Sequence, residues 1–426
     1  ASGMRESVLS ELVRVGDARL LAEVLRVSGD EATLQVFEDT SGLALDEPVE
    51  RLALPLAIEL GPGLLGSVID GIGRPLGALA ACGDFIRAGA VADTIDRAKR
   101  FDFRPTRAAG ESVGEGDVLG AIEERPGFLH RVLVPPGKQG VLRSIRAGEL
   151  GPANAVAVLE DGTELPFVQR WPCRRSRPGA ARVSATRPLL TGQRIFDFLF
   201  PVAEGGTVAV PGGFGTGKTV IEQSLAKWAD ADVVIYIGCG ERGNEMAEVL
   251  HDFGGLCDPR TGKPVLDRTV LVVNTSNMPV GAREASIDVG LTIAEYFRDQ
   301  GHRVAVMADS LSRWAEALRE SGARMQQMPG EEGYPTYLAS RTAKLHERAG
   351  CVECLGAPAR RGSLTLFSAV SPPSGDFSEP VTQACLAVVG ALWALDPALA
   401  HQRQFPAVDA GASYSLYADA MAAWFA

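Results

Sequence analysis

Residues 212–219 read Gly-Gly-Phe-Gly-Thr-Gly-Lys-Thr and fit the pattern G-x-x-x-x-G-K-[ST] at every fixed position. In this pattern the backbone N–H groups of a glycine-rich loop surround phosphate oxygens, and the lysine adds a positive charge beside the β- and γ-phosphates. A β-branched run, 206–211, precedes the loop, and residues 220–228 have the apolar spacing of a helix. The order strand, glycine loop, helix predicts a phosphate site at a helix N-terminus.

This loop also supplies the predicted nucleotide and metal contacts. Lys218 is predicted to be catalytic, and the Thr219 hydroxyl lies where Mg²⁺ would bind. The residues predicted to bind the nucleotide are Gly212, Gly213, Phe214, Gly215, Thr216, Gly217, Lys218, Thr219 and Val220.

Two acidic residues follow apolar strands downstream of the loop. Glu241 comes just after the apolar run 233–237, and a carboxylate beside the γ-phosphate can orient and polarise the attacking water. The alternative is that Glu241 caps a helix or pairs with Arg242, and Arg242 would either steady γ-phosphate charge or hold Glu241 in place. Asp309 ends the run 303–309 and is predicted to orient the Mg²⁺ shell, commonly through water.

The composition excludes several classes of protein. A net charge of -11 and a pI of about 5.1 argue against nucleic-acid binding, which normally requires a basic surface. The seven cysteines make a poor disulfide framework, and the single C-x-x-C at 351–354 is interpreted as a reduced pair rather than a metal or redox site. No signal peptide or membrane span is predicted, and the longest apolar stretch, 381–395, is predicted to be a buried helix. We therefore expect a soluble protein in a reducing compartment.

Four regions are expected along the chain. Residues 1–75 contain short alternating strands with glycine turns and are predicted to form a partial β-barrel, and 76–187 form an extra β-rich module with a linker. Residues 188–395 alternate strands and helices, which is typical of a mostly parallel sheet covered by helices. Residues 396–426 are predicted to start a helical domain. The fold class is therefore α/β, with a P-loop NTPase core.

The linker at 174–187 is rich in arginine and proline. We interpret this basic cluster as a solvated linker or a contact with another chain in preference to a phosphate-binding segment.

Several runs together resemble the catalytic A subunit of a V/A-type rotary ATPase. Residues 238–245, Gly-Cys-Gly-Glu-Arg-Gly-Asn-Glu, resemble that subunit rather than the F-type catalytic subunit or the export ATPases, which continue differently after Gly-Glu-Arg. The extra β-rich module resembles the domain that distinguishes the A subunit from the B subunit and from the F-type subunits. Further matching runs are 274–279, 282–286, 308–310, 312–319, 329–335, 375–383 and 413–417.

The resemblance implies a RecA-like core that binds ATP or ADP with Mg²⁺, with Lys218, Thr219, Glu241, Arg242 and Asp309 in the roles given above. It also implies that Phe405 packs on the adenine ring. As partners it implies B subunits in an alternating A/B hexameric ring, with an arginine finger supplied in trans. A central stalk and a membrane ion-translocating sector, moving H⁺ or Na⁺, would complete a complex on the cytoplasmic face of a membrane, without direct insertion of this chain and without nucleic acid.

The sequence departs from the family pattern in two respects. Gly213 stands where bacterial relatives often have proline, which removes no phosphate ligand because those contacts are backbone N–H groups. Family members also extend further at both ends, so the sequence is expected to be a fragment or a shortened homologue. The alternatives to a rotary ATPase catalytic chain are a hexameric protein-export ATPase, a Rho-like RNA translocase, which the acidic composition disfavours, and a truncated non-catalytic assembly subunit.

Overall fold

The computed structural model describes residues 1–81, 83 and 86–425, so that Cys82 lies outside the described residues. The six described cysteines are free thiols. Those of the C-x-x-C pair donate to backbone carbonyls, Cys351 to Glu204 at 3.0 Å and Cys354 to Arg298 at 3.3 Å. Within the described part of the chain, no helix has both the length and the apolar character needed to cross a bilayer.

Antiparallel strands build the first region. Its elements are β1 (Glu11–Val15), β2 (Leu20–Ser28), β3 (Glu31–Val36), β4 (Val49–Pro55), β5 (Ala57–Leu60), β6 (Val68–Asp70) and helix α1 (Leu76–Ala80). The first four strands form a sheet in the order β3-β2-β1-β4. Val13 and Ala22 face each other across β1 and β2, are fully buried and belong to one apolar cluster, so one face of this sheet packs on a core of its own.

The second region contains two four-stranded sheets, in the orders β10-β9-β7-β12 and β14-β13-β11-β8. Its strands are β7 (Phe101–Pro105), β8 (Ser112–Val113), β9 (Val118–Arg125), β10 (Phe128–Leu133), β11 (Gly140–Ile145), β12 (Gly148–Leu150), β13 (Ala155–Leu159), β14 (Glu164–Pro166), β15 (Gln169–Pro172) and β16 (Ala181–Val183). Phe103 and Phe167 pack edge to face at 5.4 Å between ring centroids and are fully buried, so the region has a core of its own.

Helices and strands then alternate, as the sequence predicts. The elements are β17 (Pro188–Leu189), α2 (Arg194–Leu199), β18 (Val202–Ala203), β19 (Thr207–Pro211), α3 (Lys218–Trp228), β20 (Val233–Glu241), α4 (Gly243–Gly255), β21 (Thr269–Thr275), α5 (Val280–Asp299), β22 (Arg303–Asp309), α6 (Leu311–Arg324), α7 (Leu338–His346), β23 (Gly350–Glu353), β24 (Arg361–Val370), α8 (Pro380–Leu386) and β25 (Ala391–Leu392).

A mostly parallel sheet is the centre of the molecule. Within the described residues it has ten strands, and its main path runs β26-β25-β19-β24-β22-β20-β21-β6, where β26 is Tyr414–Ser415. The neighbours from β25 through β6 pair in parallel, whereas β23 and β26 pair antiparallel at their positions. The carboxyl ends of β19, β22 and β20 therefore lie along one edge of the sheet, which is where α/β proteins build ligand sites.

Two arginines of the linker, Arg174 and Arg177, form ion pairs with α5. Arg177 is 4% exposed and donates to Asp299 at 2.7 Å, and Arg174 donates to Glu284 at 3.0 Å. The interpretation of this segment as a solvated linker is therefore wrong for these two residues, because the acids of α5 compensate their burial.

The apolar stretch 381–395 is not a single helix, contrary to the prediction. Helix α8 ends at Leu386, and the chain turns into β25. A Cβ on Gly390 would lie 2.3 Å from the Tyr417 ring, so this glycine allows the Tyr417 side chain to approach the backbone closely at the turn. Tertiary packing thus overrides the helical appearance of the run.

Residues 396–425 contain two short helices, α9 (Pro397–His401) and α10 (Ala422–Phe425), in addition to β26. Asp396 caps α9 by accepting from the Ala398 amide at 2.7 Å. The start of a helical domain in this region stays a prediction.

Two helical glycines allow a test of packing between α5 and the sheet. A Cβ on Gly290 of α5 would lie 2.3 Å from Ile237 Cδ1, whereas a Cβ on Gly254 of α4 would have no heavy atom within 4 Å. Helix propensity favours alanine at both sites by about 0.5–1 kcal/mol, but overpacking a core costs about 1–3 kcal/mol. We expect Gly254→Ala to raise the free energy of unfolding in urea and Gly290→Ala to lower it. Stabilisation by both substitutions would contradict the packing described here.

Candidate functional site

The loop between β19 and α3 has the geometry of a phosphate cradle. Gly217, which immediately precedes α3, has φ of +91°, a left-handed conformation that favours glycine. A Cβ on Gly212 would lie 2.5 Å from Thr216 Oγ1 and 2.8 Å from Leu395 Cβ, so a side chain there would close the loop. The first amides of α3 have no partner inside the helix and are available to an anion.

Lys218 lies against this loop. Its Nζ donates to the backbone oxygens of Gly212 at 2.7 Å and Gly213 at 2.9 Å, which fixes the ammonium beside the first amides of α3. Burial lowers the pKa of Lys218, while the charges of Asp309 and Glu241 act in the opposite direction. A half-buried cation whose hydrogen-bond acceptors are backbone oxygens fits a site that takes a strongly anionic ligand.

The structure places Thr219 and Asp309, the two residues predicted to hold Mg²⁺, within hydrogen-bond distance of each other. Thr219 Oγ1 donates to Asp309 Oδ2 at 3.0 Å, and the hydroxyl of Tyr236 donates to the same oxygen at 3.2 Å. Burial raises the pKa of Asp309, and the Thr219 hydrogen bond and Lys218 counteract this rise.

This donor set fits Mg²⁺ bound together with a nucleotide. Among the described residues, no group of three or more His, Cys, Asp or Glu side chains is arranged to hold a metal ion. Mg²⁺ usually keeps several waters and takes one or two carboxylates plus substrate phosphates rather than an all-protein cage. One hydroxyl and one carboxylate beside a phosphate loop satisfy that requirement.

Glu241 ends β20, the strand next to β22. In the parallel register Gly238 lies opposite Asp309, so Glu241 extends past the end of the neighbouring strand. Burial raises the pKa of Glu241 to about 8, with further contributions from Asp309 and Glu245. A carboxyl group with a pKa near neutrality can accept a proton from water without holding it too tightly, which is what a general base requires.

Arg242 lies at the entrance rather than inside the site. Its guanidinium carbon is 5.6 Å from the centroid of the Phe214 ring, and its ion-pair partner is Glu245 at 3.9 Å. Phe214 is 88% exposed, so this cation–π contact covers the outer side of the loop. The alternative in which Arg242 serves as the salt-bridge partner of Glu241 has no support among the described contacts.

Phe405 lies next to the loop although it is distant in sequence. Two of its ring carbons are 3.6 Å from the position of a Cβ on Gly217, and the residue is 59% exposed. An exposed aromatic face beside a phosphate loop can stack on a planar ring.

Three further residues shape the site and are absent from the sequence-based prediction. Tyr236 donates to Asp309 as described above, and Arg313 of α6 is a positive charge that favours ionisation of Glu241. Glu222 is fully buried, and neither of its carboxyl oxygens has a hydrogen-bond partner among the described residues. Glu222 lies one turn after Thr219 on the same face of α3. This three-residue spacing on a helix could have indicated from the sequence that Glu222 lies close to Thr219.

The comparison with known proteins identifies three consecutive family matches. Residues 2–53 match the ATP synthase alpha/beta family beta-barrel domain, 92–174 match the ATP synthase alpha/beta subunit barrel-sandwich domain, and 192–415 match the ATP synthase alpha/beta family nucleotide-binding domain. Together these matches extend over most of the chain.

Relatives and a solved structure agree with these matches. The chain is 58% identical to the V-type ATP synthase alpha chain of Anaeromyxobacter dehalogenans (strain 2CP-C), covering 100% of this chain and 73% of that protein. It is 54% identical to a chain of the A-type ATP synthase of Methanospirillum hungatei JF-1, with the same coverage. The assembled ATPase EscN of the enteropathogenic E. coli type III secretion system is similar at 26% identity and a TM-score of 0.69, covering 98% of this chain and 78% of that chain.

The buried carboxyl group of Glu222 gives a pH-dependent prediction. Burial, with Asp309 and Glu241, raises its pKa well above the usual range. Such a group stays protonated in the fold while it ionises in the unfolded chain, so it reduces stability increasingly as the pH rises above the unfolded pKa of about 4.3. We expect Glu222→Gln to gain stability over the parent protein as the pH rises from about 5 to about 8, measured by urea unfolding.

Glu248→Gln, an exposed change on α4, is the control and should give a difference that does not vary with pH. A Glu222→Gln difference that is equal at both pH values would show that Glu222 is ionised in the fold.

Proposed function

Because the chain belongs to the ATP synthase alpha/beta family, we propose that the edge formed by β19, β22 and β20 is its catalytic nucleotide site. The chain is the nucleotide-binding catalytic subunit of a V/A-type ATP synthase and hydrolyses or synthesises ATP in a complex that couples this reaction to ion transport. The observation that supports the site most directly is the hydrogen bond from Thr219 to Asp309 beside the loop ammonium of Lys218.

In the proposed mechanism the loop and α3 hold the phosphates of ATP or ADP. The amides of residues 213–219 and the ammonium of Lys218 bind the β- and γ-phosphate oxygens, and Val220 continues the first turn of the helix. Thr219 and Asp309 would hold Mg²⁺, which neutralises phosphate charge when it is bound. The residues thus bind and orient the substrate before any bond changes.

Glu241 is the residue proposed to act on water. In hydrolysis a water oxygen forms a bond to the γ-phosphorus, the bond from that phosphorus to the bridging oxygen of ADP breaks, and Glu241 orients the water and receives its proton. Proton transfer of this kind contributes typically 10²–10⁴-fold in rate. Synthesis follows the same steps in reverse.

The exposure of Arg242 at the entrance supports the proposal that a neighbouring chain completes the site. Arg242 and Phe214 are exposed at the outer side of the loop, so the γ-phosphate end of the site faces solvent in the isolated chain. We propose that B subunits in an alternating A/B ring cover this side and supply an arginine finger, while Arg242 moves toward the γ-phosphate. The proposed assembly also includes a central stalk and a membrane sector, with this chain peripheral on the cytoplasmic face.

The alternative functions have weaker support. An export ATPase is a more distant relative, at 26% identity against 58% and 54% for the ATP synthase chains. A non-catalytic assembly role does not explain why Lys218, Glu241 and Asp309 converge on one edge of the sheet.

The role of Glu241 is tested by Glu241→Gln in the chain assembled with its B partner. The amide cannot accept a proton from water, so we expect ATP turnover to fall by about 10²-fold or more. The affinity for ATP should stay within a few-fold of the parent value, because the loop, Lys218 and the Thr219–Asp309 pair are unchanged. Steady-state hydrolysis and binding of a fluorescent ATP analogue measure the two quantities.

Glu248→Gln removes a carboxylate from the exposed face of α4, the helix that follows Glu241, and should leave both quantities unchanged. Turnover by Glu241→Gln close to the level of this control would exclude Glu241 as the water-positioning residue.

The role of Phe405 is tested by ligand comparison. Loss of stacking on a base costs about 1–3 kcal/mol in other systems, so Phe405→Ala should weaken ATP binding by roughly 5- to 150-fold. Phe405→Tyr keeps the ring and should bind ATP nearly as the parent does. Tripolyphosphate has no base, and its affinity should be the same in all three proteins. An equal loss of ATP and tripolyphosphate binding would indicate damage to the loop instead of a lost adenine contact.

A further inference from the structure

A second polar cavity lies between the linker and helices α5 and α7. It has a volume of about 180 Å³, many times the 10–15 Å³ that one water molecule requires. It shares no lining residue with the nucleotide site. Five of its lining side chains are cationic, namely Arg174, Arg182, Arg341, Lys344 and Arg348.

The acidic partners of these cations lie mainly on the buried side of the cavity. Arg174 donates to Glu23 at 2.8 Å, and Arg348 donates to Glu295 at 2.6 Å. Both acids are buried and neither lines the cavity. The acids that do line it are Asp288 and Glu347, and Asp288 pairs with Arg174 at 3.5 Å and with Arg348 at 3.4 Å. Arg341 pairs with Glu284 at 2.6 Å. The excess positive charge therefore comes from the two remaining cations, Arg182 and Lys344.

One donor of a lining residue has no partner among the described residues. Arg348 is 5% exposed, and its Nε has no hydrogen-bond acceptor among the described residues. A buried donor without an acceptor costs about 1–3 kcal/mol, more for a charged group, and a ligand oxygen within hydrogen-bond reach of this Nε would remove that cost.

The two cations at the rim are not paired with carboxylates in the described part of the chain. Arg182 donates to the backbone oxygens of Ala349 and Glu347, and no ion pair involves Lys344. The Ser176 hydroxyl also lines the cavity and adds a neutral donor. The rim therefore offers several N–H and O–H donors with excess positive charge.

We propose that this cavity binds a phosphate-type oxyanion. A compact tetrahedral anion presents several acceptor oxygens at once, which matches arginine and lysine donors converging from the linker and α7. The anion would be either free inorganic phosphate or one phosphoryl group of a larger phosphorylated molecule. Its binding would join the linker, α5 and α7 and so stabilise the junction between the β-rich module and the nucleotide-binding region.

The test uses the full chain carrying Lys218→Ala, so that the nucleotide loop does not contribute to phosphate binding. Isothermal titration with inorganic phosphate at constant ionic strength should give one saturable site per chain, with sulfate competing and chloride not competing. Phosphate should also raise the melting temperature of this protein.

The informative variant is Arg182→Ala with Lys344→Ala, which leaves the buried ion pairs intact. We expect it to weaken phosphate binding at least tenfold. The matched control is Arg324→Ala with Arg361→Ala, which removes the same charge at two side chains that are each 73% exposed elsewhere on the molecule. This control should bind phosphate as the parent chain does.

Tripolyphosphate distinguishes the two sources of the anion. Affinity at least tenfold above that of orthophosphate assigns the cavity to a phosphoryl group of a larger molecule, and equal affinity assigns it to free phosphate. Absence of saturable phosphate binding, or equal binding by the rim variant and the control, would overturn the proposal, and the cluster would then be a contact for an acidic surface of another protein chain. Neither result depends on the nucleotide site.

Discussion

The hydrogen bond from Thr219 to Asp309 depends on the strand order of the central sheet. Strand β24 separates β19 from β22, so the two residues belong to segments that are not adjacent in the sheet. Only a parallel arrangement, in which the loop after β19 and the end of β22 emerge at the same edge, allows the 3.0 Å contact. The buried apolar strands are needed because they hold this edge in place, and Glu241 on the next strand is positioned by the same register.

The edge of the sheet at this site carries one cation and three acidic side chains. Lys218 faces Asp309, Glu241 and Glu222, and burial raises the pKa of all three acids. Like charges in a partly desolvated site favour protonation of one another, so the cluster does not bear three full negative charges near neutral pH. The net charge of this cluster therefore depends on how many of its three carboxyl groups are protonated.

Local patterns predict the parts of this architecture that depend on local interactions. The loop, helix α3 and the acids that end β20 and β22 follow from motif and periodicity, because backbone conformation and strand burial dictate the residues there. Residues brought in from elsewhere are harder to predict. The helix expected over 381–395 ends early where Gly390 meets Tyr417, a contact that is distant in sequence. The buried acids of α5 likewise depend on arginines of the linker, so neither feature can be recognised from the local sequence. Phe405 was found by resemblance alone, because nothing in its neighbouring sequence indicates that it reaches Gly217.

Helix α5 lies between the β-rich module and the strands that carry Glu241 and Asp309. His130 of β10 lies 2.8 Å from the Tyr296 hydroxyl, and the Arg131 amide donates to Gln300 at 2.9 Å just beyond the end of α5. The same helix packs on β20, β21 and β22, and two of these strands carry Glu241 and Asp309. Buried polar contacts of this kind are costly to break one partner at a time, so they resist sliding of α5 against the β-rich module. Helix α5 therefore contacts both the β-rich module and the strands that carry Glu241 and Asp309, and its position relative to both is fixed by buried contacts.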